Sequence, residues 1–181
     1  MRRGRRSSYE SFAEFVGARG ASWFFRSRGH PSAAEVVEAR WADDRLLSAF
    51  WEKLYKTLDS AFKAHPESRA ARLAVRDTVY AQARKTLVYE LGPQLRTISP
   101  LYLERVRLDN AALLAQRVYS TDLSTFERVF KLEGQDLRRA VSRMVTLGKA
   151  NPKDPFAAVK KWSEERERSD SSAISPSRIS P

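Results

Sequence analysis

The chain has 181 residues, no cysteine, 42% hydrophobic residues and a formal net charge of +11. Disulfides and thiolate metal sites are therefore excluded, as is wholesale disorder, and one domain with tails is the expected size class. Gly and Pro are scarce, at seven and eight residues, which favours long helices over a strand-and-turn fold.

In chain order, residues 1–8 read as a disordered basic arm that holds the Arg2–Arg6 cluster. A helix is predicted over about 9–17. Ser7 and Ser8 are available as caps, and Phe12, Phe15 and Val16 form an apolar stripe. Gly17 and Gly20 are expected to stop or bend it before the aromatic run Trp23-Phe24-Phe25. Arg28-Gly29-His30-Pro31 is a turn.

A long helix then opens at Ser32, with Glu35 three residues on as in a capping box. Val37, Trp41, Leu47, Trp51, Leu54, Leu58 and Phe62 carry its apolar spacing to His65-Pro66. A second helix is predicted from Glu67 to Glu90 and closes at Gly92-Pro93. The short connection makes this pair a long central antiparallel hairpin.

Residues 93–107 read as irregular or partly extended. Shorter helices follow over 108–117, from Leu123 to Leu132, from Asp136 to Gly148, and from Lys153 to about Trp162. The expected fold is all-α, a multi-helix domain over 9–162, with a polar disordered tail at 163–181.

Candidate chemistry is sparse. His30 and His65 are the only histidines, each next to a proline, and no HExxH, GxSxG or P-loop pattern occurs. Three acidic pairs stand out: Glu10/Glu14, Asp43/Asp44 and Glu164/Glu165. The last two read as solvated faces. Glu10 and Glu14 share a helix face, which fits either an exposed helix start or a carboxylate aimed into a cleft.

Several segments resemble, in order, a family of predicted bacterial zinc aminopeptidases of the gluzincin type. Glu10-Ser11-Phe12-Ala13-Glu14-Phe15-Val16, followed by Gly20, Trp23 and Gly29, resembles its N-E-S-F-A-x-F-V…G…W…G segment. Leu108-Asp109-Asn110-Ala111-Ala112-Leu113 resembles L-N-N-A-R-L, and 119–127 resembles Y-x-D-L-V-P-x-F-E. Gly134-Gln135-Asp136-Leu137 and Ala140–Met144 resemble G-G-D-L and A-V-R-R-L. The likeness covers about residues 9–160.

The resemblance implies hydrolysis of N-terminal peptide bonds by a zinc-bound water. It implies that Glu10 is the third zinc ligand, Tyr119 a candidate catalytic oxyanion stabiliser and Asn110 a candidate substrate-binding residue. A buried Tyr and a helix-capping Asn are the structural alternatives for the last two. In that family the HExxH helix lies just upstream of N-E-S-F-A. Here MRRGRRSS stands in that place, and Tyr9 replaces the Asn.

The expectation is therefore a C-terminal fragment that lacks both His ligands and the general base, binds no zinc alone and is inactive alone. Its partners would be a peptide substrate and the missing N-terminal half. The alternative is a small basic helical protein that binds nucleic acid or another anionic partner, although apart from the Arg2–Arg6 cluster the charge is spread along the chain. No signal peptide or transmembrane segment is evident, which gives a cytoplasmic location by default.

Overall fold

A computed structural model describes residues 2–119 and 122–173. These residues are 84% helical, with eight helices and no strand among them, so the protein is all-α. Among the described residues no helix is long and apolar enough to cross a membrane. Contacts divide the chain into two compact units, Met1–Leu123 and Ser124–Pro181.

The first unit begins with α1 (Arg2–Ser27) and α2 (Pro31–Lys63), which pack along each other. The glycines do not break α1. Each interior glycine costs about 1 kcal/mol relative to alanine. Packing on α2 outweighs that cost. Phe15 is fully buried, its ring 6.0 Å from that of Trp41. Ser22 donates to Glu38 Oε1 at 2.7 Å. Among the described side chains of α1, the buried ones are Ser8, Ser11, Phe15 and Ser22. Three of the four are serines, whose small side chains admit a close helix–helix approach.

The stop comes later, at Gly29. With φ +76° it takes the left-handed position, while His30 N–H bonds the Phe25 carbonyl at 2.9 Å and Gly29 N–H that of Arg26 at 3.1 Å. This is a Schellman closure. Helix α2 then starts directly at Pro31, with His30 rather than Ser32 at the N-cap. Proline suits that first position because its missing N–H would have no helical acceptor there.

After the connection 64–68, α3 (Arg69–Lys85) is capped by Ser68, whose hydroxyl accepts from Ala71 N–H at 3.1 Å. A π-helical turn, Thr86–Leu91, and a 3₁₀ turn, Gly92–Gln94, extend it. Gly92 is buried, and a Cβ there would stand 3.2 Å from Leu103 Cδ1, so this glycine permits a close approach. Within the stretch read as irregular lies a short helix, α4 (Pro100–Arg105), capped by Ser99. Helix α5 (Asn110–Tyr119) follows.

The main core of this unit joins Phe50, Trp51, Leu54 and Leu58 of α2 to Ala83, Leu87, Leu103 and Leu113. Burying each of these large apolar side chains is worth about 1.5–3 kcal/mol. The Arg84 guanidinium donates to the carbonyls of Leu103, Glu104 and Val106, which fastens the end of α4 to α3.

The second unit contains most of α6 (Leu123–Leu132), with α7 (Leu137–Ala150) and α8 (Pro155–Ala173). Gly134, at φ +72°, closes α6 in the same manner as Gly29 closes α1. Asp136 caps α7 by accepting from Arg139 N–H at 3.0 Å, and Asp154 accepts from Ala157 N–H at 3.1 Å at the head of α8. Phe126 meets Phe156 edge-on at 6.0 Å, and Arg143 lies over the Trp162 ring. Helix α8 runs on to Ala173, beyond the Ser163 at which a polar tail was expected. Likewise α1 starts at Arg2, within the expected arm.

Candidate functional site

A cavity of about 520 Å³ lies in the first unit between α1, α2, the π turn, the 97–106 segment and α5. Leu47, Trp51, Leu87, Leu103 and Val106 form its apolar lining. Glu14 of α1 and Asp44 and Arg40 of α2 supply its charge, and Thr97, Ser99, Tyr102 and Gln116 add neutral polar groups.

The charges are unequally matched. Arg40 and Asp44 are one helical turn apart on α2, and Arg40 Nε lies 3.1 Å from Asp44 Oδ1 and 3.3 Å from Oδ2. Glu14 has no hydrogen-bond or ion-pair partner among the described residues. Partial burial, and then the negative charge of Asp44, push the Glu14 carboxyl above the usual carboxylate range, although the positive charge of Arg40 opposes them. Burial also raises Asp44, although Arg40 opposes it.

Asp43, the residue beside Asp44, corrects the reading of this pair as a solvated face. It is fully buried and accepts from the backbone N–H of Arg96 at 3.0 Å, the N–H of Thr97 at 2.7 Å and the Thr97 hydroxyl at 2.7 Å. Burial opposes its charge. The Thr97 hydroxyl and the two backbone N–H groups outweigh burial and hold the carboxyl below its ordinary range. Asp43 thereby pins the chain segment that forms one wall of the cavity. Neither Asp43 nor its partners could be read from local sequence, since the donors lie 53 and 54 residues away.

The residues singled out by resemblance fall as follows. Glu10 is exposed on α1, one turn before Glu14 on the same side of the helix. Within the E-S-F-A run, Ser11 is the fully buried residue. Asn110 is exposed at the first turn of α5, and its Oδ1 accepts from the Tyr80 hydroxyl at 2.8 Å. The cap of α5 is Asp109, whose Oδ1 accepts from Ala112 N–H at 2.8 Å. Helix α5 ends at Tyr119, but the side chain of Tyr119 lies outside the described residues. Helices α1 and α5 pack together, so Glu10 and Asn110 stand on adjoining elements.

Among the described residues no group of three or more His, Asp or Glu side chains is placed to hold a metal. His30 follows the far end of α1, about 25 Å along the helix from Glu10 at 1.5 Å per residue. His65 lies beyond the end of α2.

Part of the basic charge is matched on its own helices, by pairs such as Lys56–Glu52, Lys63–Asp59 and Arg166–Asp170. In the second unit Glu133 draws in Arg143 at 2.8 Å, with Arg139 at 3.8 Å.

An all-α chain with a carboxylate-bearing cleft beside an E-S-F-A helix is the class of protein these features define. A family model described as "Putative aminopeptidase" matches residues 3–158. The chain belongs to this aminopeptidase family, and a coarse peptidase-like function follows from that membership. Neither a curated protein nor a solved structure matches it.

Proposed function

We propose that these residues serve a zinc aminopeptidase, a hydrolase that removes the N-terminal residue of a peptide. The family match over residues 3–158 carries this reading. In it Glu10 is the third zinc ligand, and two histidines and a general base come from outside these 181 residues. His30 lies beyond the far end of α1 from Glu10, His65 lies beyond the end of α2, and no other histidine is present. In the same reading Asn110 is a substrate-binding residue and Tyr119 an oxyanion stabiliser.

The test uses two preparations, the native gene product isolated from its source and the 181-residue chain alone. Zinc content and hydrolysis of an aminoacyl-anilide are measured on both. The expected outcome is stoichiometric zinc and turnover in a native product that contains an HExxH segment, both lost on Glu10→Gln. The 181-residue chain alone should show neither. A native product limited to these residues, with neither zinc nor turnover, would overturn the reading.

A further inference from the structure

We propose that the arginine-lined hollow on α7 is a receptor for a pyrophosphate-type anion, two adjacent phosphate groups that are either free or borne on a larger molecule. The site lies wholly within the second unit and shares no residue with the aminopeptidase reading. A cavity of about 410 Å³ opens there, lined by Glu133, Arg138, Arg139, Ser142, Arg143 and Thr146. All but Glu133 belong to α7. Arg138 and Ser142 are one turn apart, and Arg139, Arg143 and Thr146 follow one another at single turns, so the five side chains share a face of the helix.

Charge sets the sign of the ligand. Three guanidiniums meet one carboxylate, so the lining carries two unmatched positive charges. Glu133 is buried and holds two of the three in place. Arg143 Nε lies 2.8 Å from its Oε1, and Arg139 Nε 3.8 Å from its Oε2. Both arginines thus turn Nε to the carboxylate and keep their terminal N–H groups for another acceptor. The Trp162 ring, 5.2 Å from Arg143 Cζ, steadies that guanidinium from a second side. Arg138 has no acid within ion-pair distance among the described residues. Donors positioned in advance lose less side-chain freedom when an anion arrives.

The remaining lining sets the chemical class. Guanidinium forks match phosphate oxygens in pairs. A carboxylate brings one negative charge and two acceptor atoms, which leaves one unmatched charge in the hollow. A phosphate group brings nearly two charges at neutral pH and three acceptor oxygens, enough for the guanidiniums and the Ser142 hydroxyl together. At about 30 Å³ for a water molecule, the hollow has room for a second phosphate beside the first. Every lining residue is charged or carries a hydroxyl, so among the described residues no aromatic or aliphatic side chain is there to stack a base or take an acyl chain. The hollow reads the phosphates and not what carries them.

Binding is measured on the 181-residue chain by calorimetry and amide NMR at low ionic strength and about pH 7.5, where phosphate monoesters are mostly doubly charged. The probes are pyrophosphate, adenosine 5′-diphosphate, sulfate, acetate and a short single-stranded thymidine oligonucleotide. Pyrophosphate should saturate shifts of the α7 amides and of the arginine Nε–H signals. The nucleoside diphosphate should bind within about threefold of it, and sulfate and acetate at least about tenfold more weakly. Arg138→Gln should weaken pyrophosphate about tenfold, with Arg138→Lys recovering part of the loss and the helical circular-dichroism spectrum retained in both. Lys53→Gln, which removes the same charge from α2, should change the affinity by less than about twofold.

Absence of pyrophosphate binding, shifts located away from α7, or equal effects of Arg138→Gln and Lys53→Gln would each overturn the assignment. Acetate binding as tightly as pyrophosphate would overturn the choice of phosphate. Binding of the nucleoside diphosphate or the oligonucleotide more than tenfold tighter than pyrophosphate would also overturn it, in favour of a site that reads a base or a nucleic-acid strand. The peptidase reading stands or falls on zinc and turnover alone, so neither result decides the other.

Discussion

Asp43 and Asp44 are consecutive residues on α2, and their surroundings are opposite. Asp43 points inward, is fully buried and has donors on both carboxylate oxygens. Asp44 stands in the wall of a cavity, pairs with Arg40 and repels a second carboxylate, Glu14, that makes no hydrogen bond of its own. A helix turns each residue by about 100°, so neighbours in sequence need not share an environment. The pair separates two jobs: one carboxylate holds the scaffold closed, and the other belongs to an opening. The fully bonded group is held below its usual titration range and the under-bonded ones are raised above it.

The comparison breaks most sharply at Asp43. Asp43→Ala strands two backbone N–H groups and a hydroxyl and should cost about 3 kcal/mol. For a chain of this length that lowers Tm by about 8 °C. Calorimetry reads the loss, and hydrogen exchange should show faster opening of the Arg96 and Thr97 amides. A variant with unchanged Tm and unchanged exchange at these amides would show that Asp43 does not pin this wall.

Acid tests the same residue with a defined sign. The folded carboxyl of Asp43 lies below its ordinary value of 3.8. Its contribution is therefore complete above that value and is lost as pH falls through the folded pKa. Urea midpoints of the wild type and Asp43→Asn, followed downward from neutral pH, should converge below about pH 4. A gap that stays constant down to the acid limit would show that the charge of Asp43 contributes nothing.

How much of this was legible in the sequence varies residue by residue. The all-α class, the turn at Arg28-Gly29-His30-Pro31, the start of α7 at Asp136 and the apolar face of α2 follow from local pattern, and the fold displays them. Gly17 and Gly20 misled because a glycine's cost is local, whereas the packing of Phe15 and Ser22 on α2 that outweighs it is tertiary. Asp43 looked like half of a charge run because its donors arrive from a segment 53 residues on. Glu14 was visible only as the helical neighbour of Glu10. The cleft it enters is built by the π turn and by α4, in stretches that carry no recognisable motif.

The smallest expected effect lies at Glu14. Its folded pKa is raised, so its contribution to stability is fully present below the ordinary glutamate value of 4.5 and is lost as pH rises through the folded pKa. Glu14→Gln removes the ionisation that burial and Asp44 oppose. At pH 7 it should therefore stabilise the fold, by less than about 0.5 kcal/mol because the group is only partly buried and is screened by solvent. The gain should vanish below about pH 4. It should also shrink in an Asp44→Asn background, where the repelling neighbour is gone, and the double-mutant cycle measures that coupling. Equal gains with and without Asp44 would mean that the two carboxylates do not sense each other across the cavity.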